Sequence, residues 1–277
     1  MRGYTDLLRP MNCLIAALAI AVGAAVAVGF GSLGGSATRV MAAAVTGFLF
    51  TGAGNALNDY YDREVDRINH PARPIPSGRI SARSALNLAW ILFVAALILG
   101  IVVGLLAFLI VAVNLVAMVS YEVRFKRRGS SGNLIISWLV ASLFLFGGVA
   151  SYGESAVALE RVSWLALLAF LPTLGREIVK DIEDIAGDVD RKTLPMVIGI
   201  ERAGFIASTA FIIGVALSPM PYMTGVLGAP YLGIVTLADG IFIYCAWFST
   251  AKPSMVSKGA KYGMFVALIA FLAGGAL

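Results

Sequence analysis

Residues 37–66 read ATRVMAAAVTGFLFTGAGNALNDYYDREVD, an apolar stretch that closes on one amide and three aspartates. A helix needs about 20 predominantly apolar residues to cross a hydrocarbon core, and 37–58 supplies them. The acids follow at i, i+3 and i+7, as Asp59, Asp62 and Asp66. Farther along, 181–188 reads DIEDIAGD, again at the end of an apolar stretch, and repeats that spacing with Asp181, Asp184 and Asp188. On a helix each trio falls within about 60° of one face. Asn58 widens the first arc to about 100°. Lys180 holds the corresponding place in the second motif, and Glu183 points away.

Composition places both motifs in a membrane protein. Of 277 residues 59% are hydrophobic and only 13% charged, with mean hydropathy +0.87, whereas a soluble domain carries about 25% charged residues. The pattern predicts an all-α, polytopic bundle of about nine transmembrane helices with cytoplasmic cap loops. The spans are 11–30, 37–58, 83–103, 105–121, 132–150, 162–180, 202–218, 226–247 and 259–277. The N-terminus has no cleavable-signal layout, because Arg2 and Arg9 lead straight into a full-length apolar segment. With nine spans and the N-terminus inside, every Lys and Arg except Arg39 and Arg161 falls on the inner side. Basic residues concentrate in cytoplasmic loops, so both acidic motifs are expected at the cytoplasmic ends of a cell-membrane, multi-pass protein.

The same inventory excludes other classes. Cys13 and Cys245 both lie inside apolar spans and make neither a disulfide framework nor a metal site. His70 is the only histidine, so a His-ligated metal centre is ruled out. The pI of 9.3 reads as the topology signal of a membrane protein and not as nucleic-acid binding. Apart from the two acidic motifs there is no clear internal repeat.

Clustered carboxylates near a membrane repel one another and are costly to desolvate. A hard cation removes the objection, and an oxygen-only donor set without Cys or His favours Mg²⁺, which bridges carboxylates to phosphate oxygens. Cations stand on the same side. Tyr121 and Lys126, in YEVRFKRRG, end the fourth span, and 67–81 reads RINHPARPIPSGRIS. Its Pro71, Pro74 and Pro76 stiffen the loop, while Arg73 and Arg79 give it anion-binding capacity.

In these motifs the chain resembles the UbiA superfamily of intramembrane prenyltransferases, which pair NDxxDxxxD with a second DxxDxxxD in a nine-helix bundle. RPMNCL at 9–14, NHPARPIPSGRIS at 69–81, KDIEDIAGD at 180–188 and TLP at 193–195 are most similar to the archaeal ether-lipid branch. The resemblance covers essentially the whole chain and implies a single transmembrane prenyltransferase domain over 1–277. It implies metal and diphosphate positions at Asn58, Asp62 and Asp66, with Asp59 adjacent, and a second metal set at Asp181, Asp184 and Asp188. Tyr121 and Lys126 match the tyrosine and lysine that the family places by the diphosphate. Lys180, Arg73 and Arg79 are further substrate-binding candidates. The chain departs from the family after Asp188, where VDRKTLP is shorter and lacks the glycine common before TLP; no role carries over to Lys192.

The implied reaction is Mg²⁺-dependent transfer of a geranylgeranyl group from geranylgeranyl diphosphate to the free hydroxyl of geranylgeranylglyceryl phosphate. The nearest rival is a superfamily member acting on 4-hydroxybenzoate, a naphthoate or a tetrapyrrole. A transporter would place acids near the midplane on broken half-helices. Only Asp239, in VTLADGIFIY, lies well inside a span, and a locally hydrogen-bonded structural acid is the reading preferred for it. Trp138, Phe144, Phe146 and Trp164 are candidates to line a tail chamber, and Gly147 and Gly148 to permit close helix packing. The charge asymmetry gives a direct test. With Cys13 and Cys245 replaced by alanine, single cysteines introduced as Arg67→Cys and Arg191→Cys should react with an impermeant thiol reagent only from the cytoplasmic side. Labelling of either from outside overturns the topology.

Overall fold

A computed structural model of the chain describes residues 2–127, 130–152, 156–185 and 192–275. Among these residues nine helices are long and apolar enough to cross a membrane, and no strand occurs. They run α1 Pro10–Val28, α2 Ala37–Tyr61, α3 Ala82–Val103, α4 Leu105–Val123, α5 Ser130–Tyr152, α6 Ala156–Glu183, α7 Ile200–Leu217, α8 Ala229–Trp247 and α9 Pro253–Gly275. Each packs on the next in chain order, and α9 returns onto α1, closing a ring. Besides its chain neighbours α4 and α6, α5 packs against α1 and α2.

Close approach at the centre depends on missing side chains. A Cβ at Gly147 of α5 would lie 2.1 Å from the carbonyl oxygen of Ile20, and one at Gly23 of α1 would lie 2.6 Å from that of Phe144. These are backbone atoms that no rotamer change can move. Lipid tails are as apolar as leucine, so association in a bilayer relies on such tight packing. The next residue, Gly148, faces Val162 of α6.

Helix-end contacts sort the two faces of the bundle. Arg9, before α1, pairs with Asp59 near the end of α2. Asn133 at the start of α5 donates to Asp181 near the end of α6, and Arg176 of α6 donates through Nε to the Ser257 carbonyl of α9. All belong to the face that carries the acids. On the opposite face Arg39 donates to the carbonyls of Val103 and Val149, at the ends of α3 and α5, and Arg161 reaches that of Ala27 near the end of α1. The two arginines that break the charge asymmetry thus cap helix C-termini, whose last carbonyls lack intrahelical partners and attract cations.

Several helices outrun their apolar spans. The sixth and ninth begin at Ala156 and Pro253, ahead of 162 and 259, because backbone hydrogen bonding continues through polar residues that a hydropathy criterion discards. A short helix, Arg2–Leu8, precedes α1; Leu7 is fully buried against Ala53, Leu57 and Ile80. Asp239 accepts from the Ser218 hydroxyl at 2.7 Å, a local structural bond. Phe144 and Phe146 are buried, Phe144 against Phe271. Trp164 packs at the edge of the central cluster, and Trp138 donates to Asn114 at 2.9 Å.

The central crossing yields a stability test. Gly147→Ala should lower the melting temperature in detergent by the equivalent of about 1–3 kcal/mol, the usual cost of overpacking. Gly233→Ala on α8, where an added Cβ meets nothing within 4 Å, is the control. Equal melting of the two variants would sink the crossing argument.

Candidate active site

The first acidic motif straddles a helix break. Asn58 and Asp59 belong to the last turn of α2, Asp62 is the junction, and Asp66 lies on the short helix Arg63–Asn69. The i to i−4 bonding persists through the junction, with Asp62 N–H to Asn58 at 2.9 Å and Asp66 N–H to Asp62 at 2.8 Å. The acids therefore keep the shared face that their spacing implies. Asp59 and Asp66 are buried, and Asp62 is half-buried.

Each of these carboxylates has a cation. Arg9 pairs with Asp59. Arg73 lies 2.6 Å from Asp66 and 3.6 Å from Asp59. Lys126 lies 2.8 Å from Asp62 and 3.0 Å from Glu122, and its Nζ sits 5.6 Å from the centre of the Tyr121 ring. The carboxylates would otherwise be uncompensated at a poorly hydrated helix end, where an isolated charge is expensive. The motif so has two cationic flanks, one built by Lys126 on the side of α4 and one by arginines on the side of α1 and the loop.

The arginine flank borders a cleft of ≈ 530 Å³ lined by Asp6, Arg9, Asp59, His70, Arg73 and Arg79 among others. The proline-rich loop that roofs it is internally bonded, with Ser77 N–H to Arg73 and Ile80 N–H to Pro74. Arg79 pairs with Asp6 of the first short helix and donates to the Ala72 carbonyl. The two loop arginines are therefore unequal: Arg73 is engaged by the acidic motif, Arg79 by the rim. Arg9 is the one described non-glycine residue with positive φ, at 51°. This sparsely populated conformation turns the chain sharply into Pro10 and brings the guanidinium to Asp59.

The second motif is only partly described. Asp181 closes α6 and accepts from Asn133 at 2.9 Å, and Asp184 is exposed in the turn that follows. Asp188 lies outside the described residues, as does Arg191. Lys180 is half exposed and stands 3.9 Å from Glu177, so it reaches back along its own helix, whereas Asn58 reaches across to α4. Glu177 is buried and also pairs with Arg176. The first turn of α5 joins the two motifs: a Cβ at Gly132 would lie 3.2 Å from the Tyr121 ring, and the next residue, Asn133, holds Asp181.

Among the described residues no three His, Cys, Asp or Glu side chains come together closely enough to hold a metal ion. The carboxylates of the first motif are instead paired with Arg9, Arg73 and Lys126, and Arg73 bridges Asp59 and Asp66. The donor chemistry itself, carboxylates with one amide and no sulfur or imidazole, fits a hard divalent cation. Four groups at the site escape a reading by motif: Arg9, Glu122, Asn133 and Glu177. Of these Glu122 carries a usable signal, since an acid four residues before Lys126 at the end of an apolar span marks an ion pair on one helix face.

The family model for the UbiA prenyltransferase family matches residues 13–269. A protein named digeranylgeranylglyceryl phosphate synthase from Natronomonas pharaonis is 41% identical over 276 residues, covering 99% of this chain and 97% of that protein. A solved structure described as giving structural and mechanistic insights into digeranylgeranylglyceryl phosphate synthase in membranes superposes with TM-score 0.81 at 32% identity, covering 99% of this chain and 98% of that one. A UbiA homolog from Archaeoglobus fulgidus, bound to GPP and Mg²⁺, shares the fold with TM-score 0.65 at 19% identity, covering 99% of this chain and all of that one. On residues matched, length covered and fold, the chain belongs to the UbiA prenyltransferase family.

Proposed function

We propose that this chain, acting as one domain over 1–277, transfers a geranylgeranyl group from geranylgeranyl diphosphate to the free hydroxyl of geranylgeranylglyceryl phosphate, at the cytoplasmic side of the membrane. The observation that carries this reading is the full-length similarity, near 40% identity, to relatives named for that synthesis. In the reaction the allylic C1–O bond to diphosphate breaks, the glycerol oxygen bonds to C1 and loses its proton, and inorganic diphosphate departs. An allylic cation accepts a weak nucleophile such as an alcohol, so no strongly activating base is required.

The two flanks of the first motif divide the labour. Lys126, backed by Tyr121, offers a charged donor to the departing diphosphate, the kind of electrostatic stabilisation that often dominates a barrier. Asn58, Asp62 and Asp66, with Asp181, Asp184 and Asp188, would hold Mg²⁺, which when bound offsets charge on the diphosphate. On the other flank Arg79, with Arg9 beside it in the cleft, supplies guanidinium groups suited to the acceptor's phosphate. Both isoprenoid tails enter the apolar bundle, which is why the reaction is housed in a membrane.

A substrate panel tests the assignment: purified protein, labelled geranylgeranyl diphosphate and Mg²⁺, with the lipid acceptor set against 4-hydroxybenzoate. Transfer to the lipid alone is expected; transfer only to the aromatic acid overturns the acceptor. EDTA should stop turnover, and Asp62→Asn, Asp66→Asn, Asp184→Asn or Asp188→Asn should each lower kcat about a hundredfold or more while the protein stays folded. Near-normal turnover in EDTA, or in both Asp66→Asn and Asp188→Asn, is incompatible with a metal–diphosphate site. A charge-assisted hydrogen bond is worth about 1.5–3 kcal/mol, or roughly ten- to hundredfold. Arg79→Ala should raise KM for the lipid acceptor by that factor with little effect on the prenyl diphosphate. Arg73→Ala, which also strips Asp66 of its cation, should impair both substrates. If Arg79→Ala affects only the prenyl diphosphate, the loop acts on the leaving group instead.

A further inference from the structure

Glu122 lies outside the acidic motifs, yet it joins residues of two helices at the site. Its side chain is fully covered, with 0% exposure. One carboxylate oxygen accepts from Asn58 Nδ2 of α2 at 2.8 Å, and the other from Lys126 Nζ at 3.0 Å. The same Nζ then reaches Asp62 at 2.8 Å. A covered carboxylate is costly unless paired and hydrogen-bonded, and here both oxygens are engaged.

This arrangement constrains both donors. A carboxylate only accepts hydrogen bonds, so the Asn58 amide must turn its NH₂ to Glu122 and present its oxygen on the other side. Lys126 has a flexible four-carbon stem and a point charge without a directional fork. Bridging Glu122 and Asp62 restricts the Nζ to one place. Without Glu122, the amide could present either end and the ammonium would be tethered by Asp62 and the Tyr121 face.

We propose that Glu122 is a positioning residue for the prenyl-diphosphate half of the site: it sets the Asn58 amide with its oxygen toward the ligand and holds Lys126 where a diphosphate can take its charge. This rests on the reading that the first motif binds a prenyl diphosphate, and is independent of which acceptor is used. Glu122→Gln retains an oxygen for Asn58 but turns an NH₂ toward Lys126. Glu122→Asp keeps the charge and withdraws it by one methylene.

The test measures kcat and KM for geranylgeranyl diphosphate with Mg²⁺, together with the melting temperature, for wild type, Glu122→Gln, Glu122→Asp, Lys126→Met and Glu122→Gln combined with Lys126→Met. Glu122→Gln should lower kcat/KM for the prenyl diphosphate by about ten- to hundredfold, leaving KM for the acceptor unchanged. On the Lys126→Met background the same substitution should cost less than about threefold, because residues that act through one another are not additive. Glu122→Asp, which retains the buried charge, should fold and show the same split between the two substrates. Wild-type kcat/KM in either single variant, or an equal loss in both backgrounds, overturns the proposal. If wild type prenylates only an aromatic acid, the acceptor assignment fails and these comparisons proceed with that acceptor.

Discussion

Charge compensation at one end of the bundle is the constraint on which the rest of this structure depends. Asp59, Asp62, Asp66 and Glu122 lie together where α2 and α4 end and the short helix Arg63–Asn69 begins, with Asp59 and Glu122 in the last turns of α2 and α4. Arg9, Arg73 and Lys126 supply the counter-charge among the described residues. Each arrives from a different part of the chain: the segment before α1, the loop after the first motif, and the turn after α4. The ring of helices therefore serves the site by bringing these three sources to one place.

The interior supports this from a distance. With glycine at 23 and 147, α1 and α5 approach at backbone contact, which fixes the height of the first turn of α5. That turn carries Gly132 against Tyr121 and Asn133 against Asp181. The close crossing in the apolar centre and the contacts to Tyr121 and Asp181 at the rim are thus made by one helix, α5.

The nine spans were legible because a bilayer imposes a length and a polarity that few other environments demand. The acid spacing was legible because it is a helical period, and the structure preserves it through the break at Asp62. Partner choice was not. A loop arginine can face substrate or an acid, and sequence does not say which; Arg73 engages Asp66, and Arg79 engages Asp6. Arg9 read as a topology residue, since its contact with Asp59 arises from a left-handed turn before Pro10 and bridges fifty positions. Glu122 has the i,i+4 spacing of an ion pair with Lys126, but its second bond, to Asn58, spans 64 positions and has no sequence signal.

The break at Asp62 has a mechanical side. Asn58 and Asp59 belong to α2, which is packed into the bundle, whereas Asp66 belongs to the short helix and Arg73 to the loop that lines the cleft. Any outward swing of that roof would carry half of the motif away with it. Access to the cleft and integrity of the acid cluster would consequently be one coordinate: a doorway that takes part of the lock along when it opens.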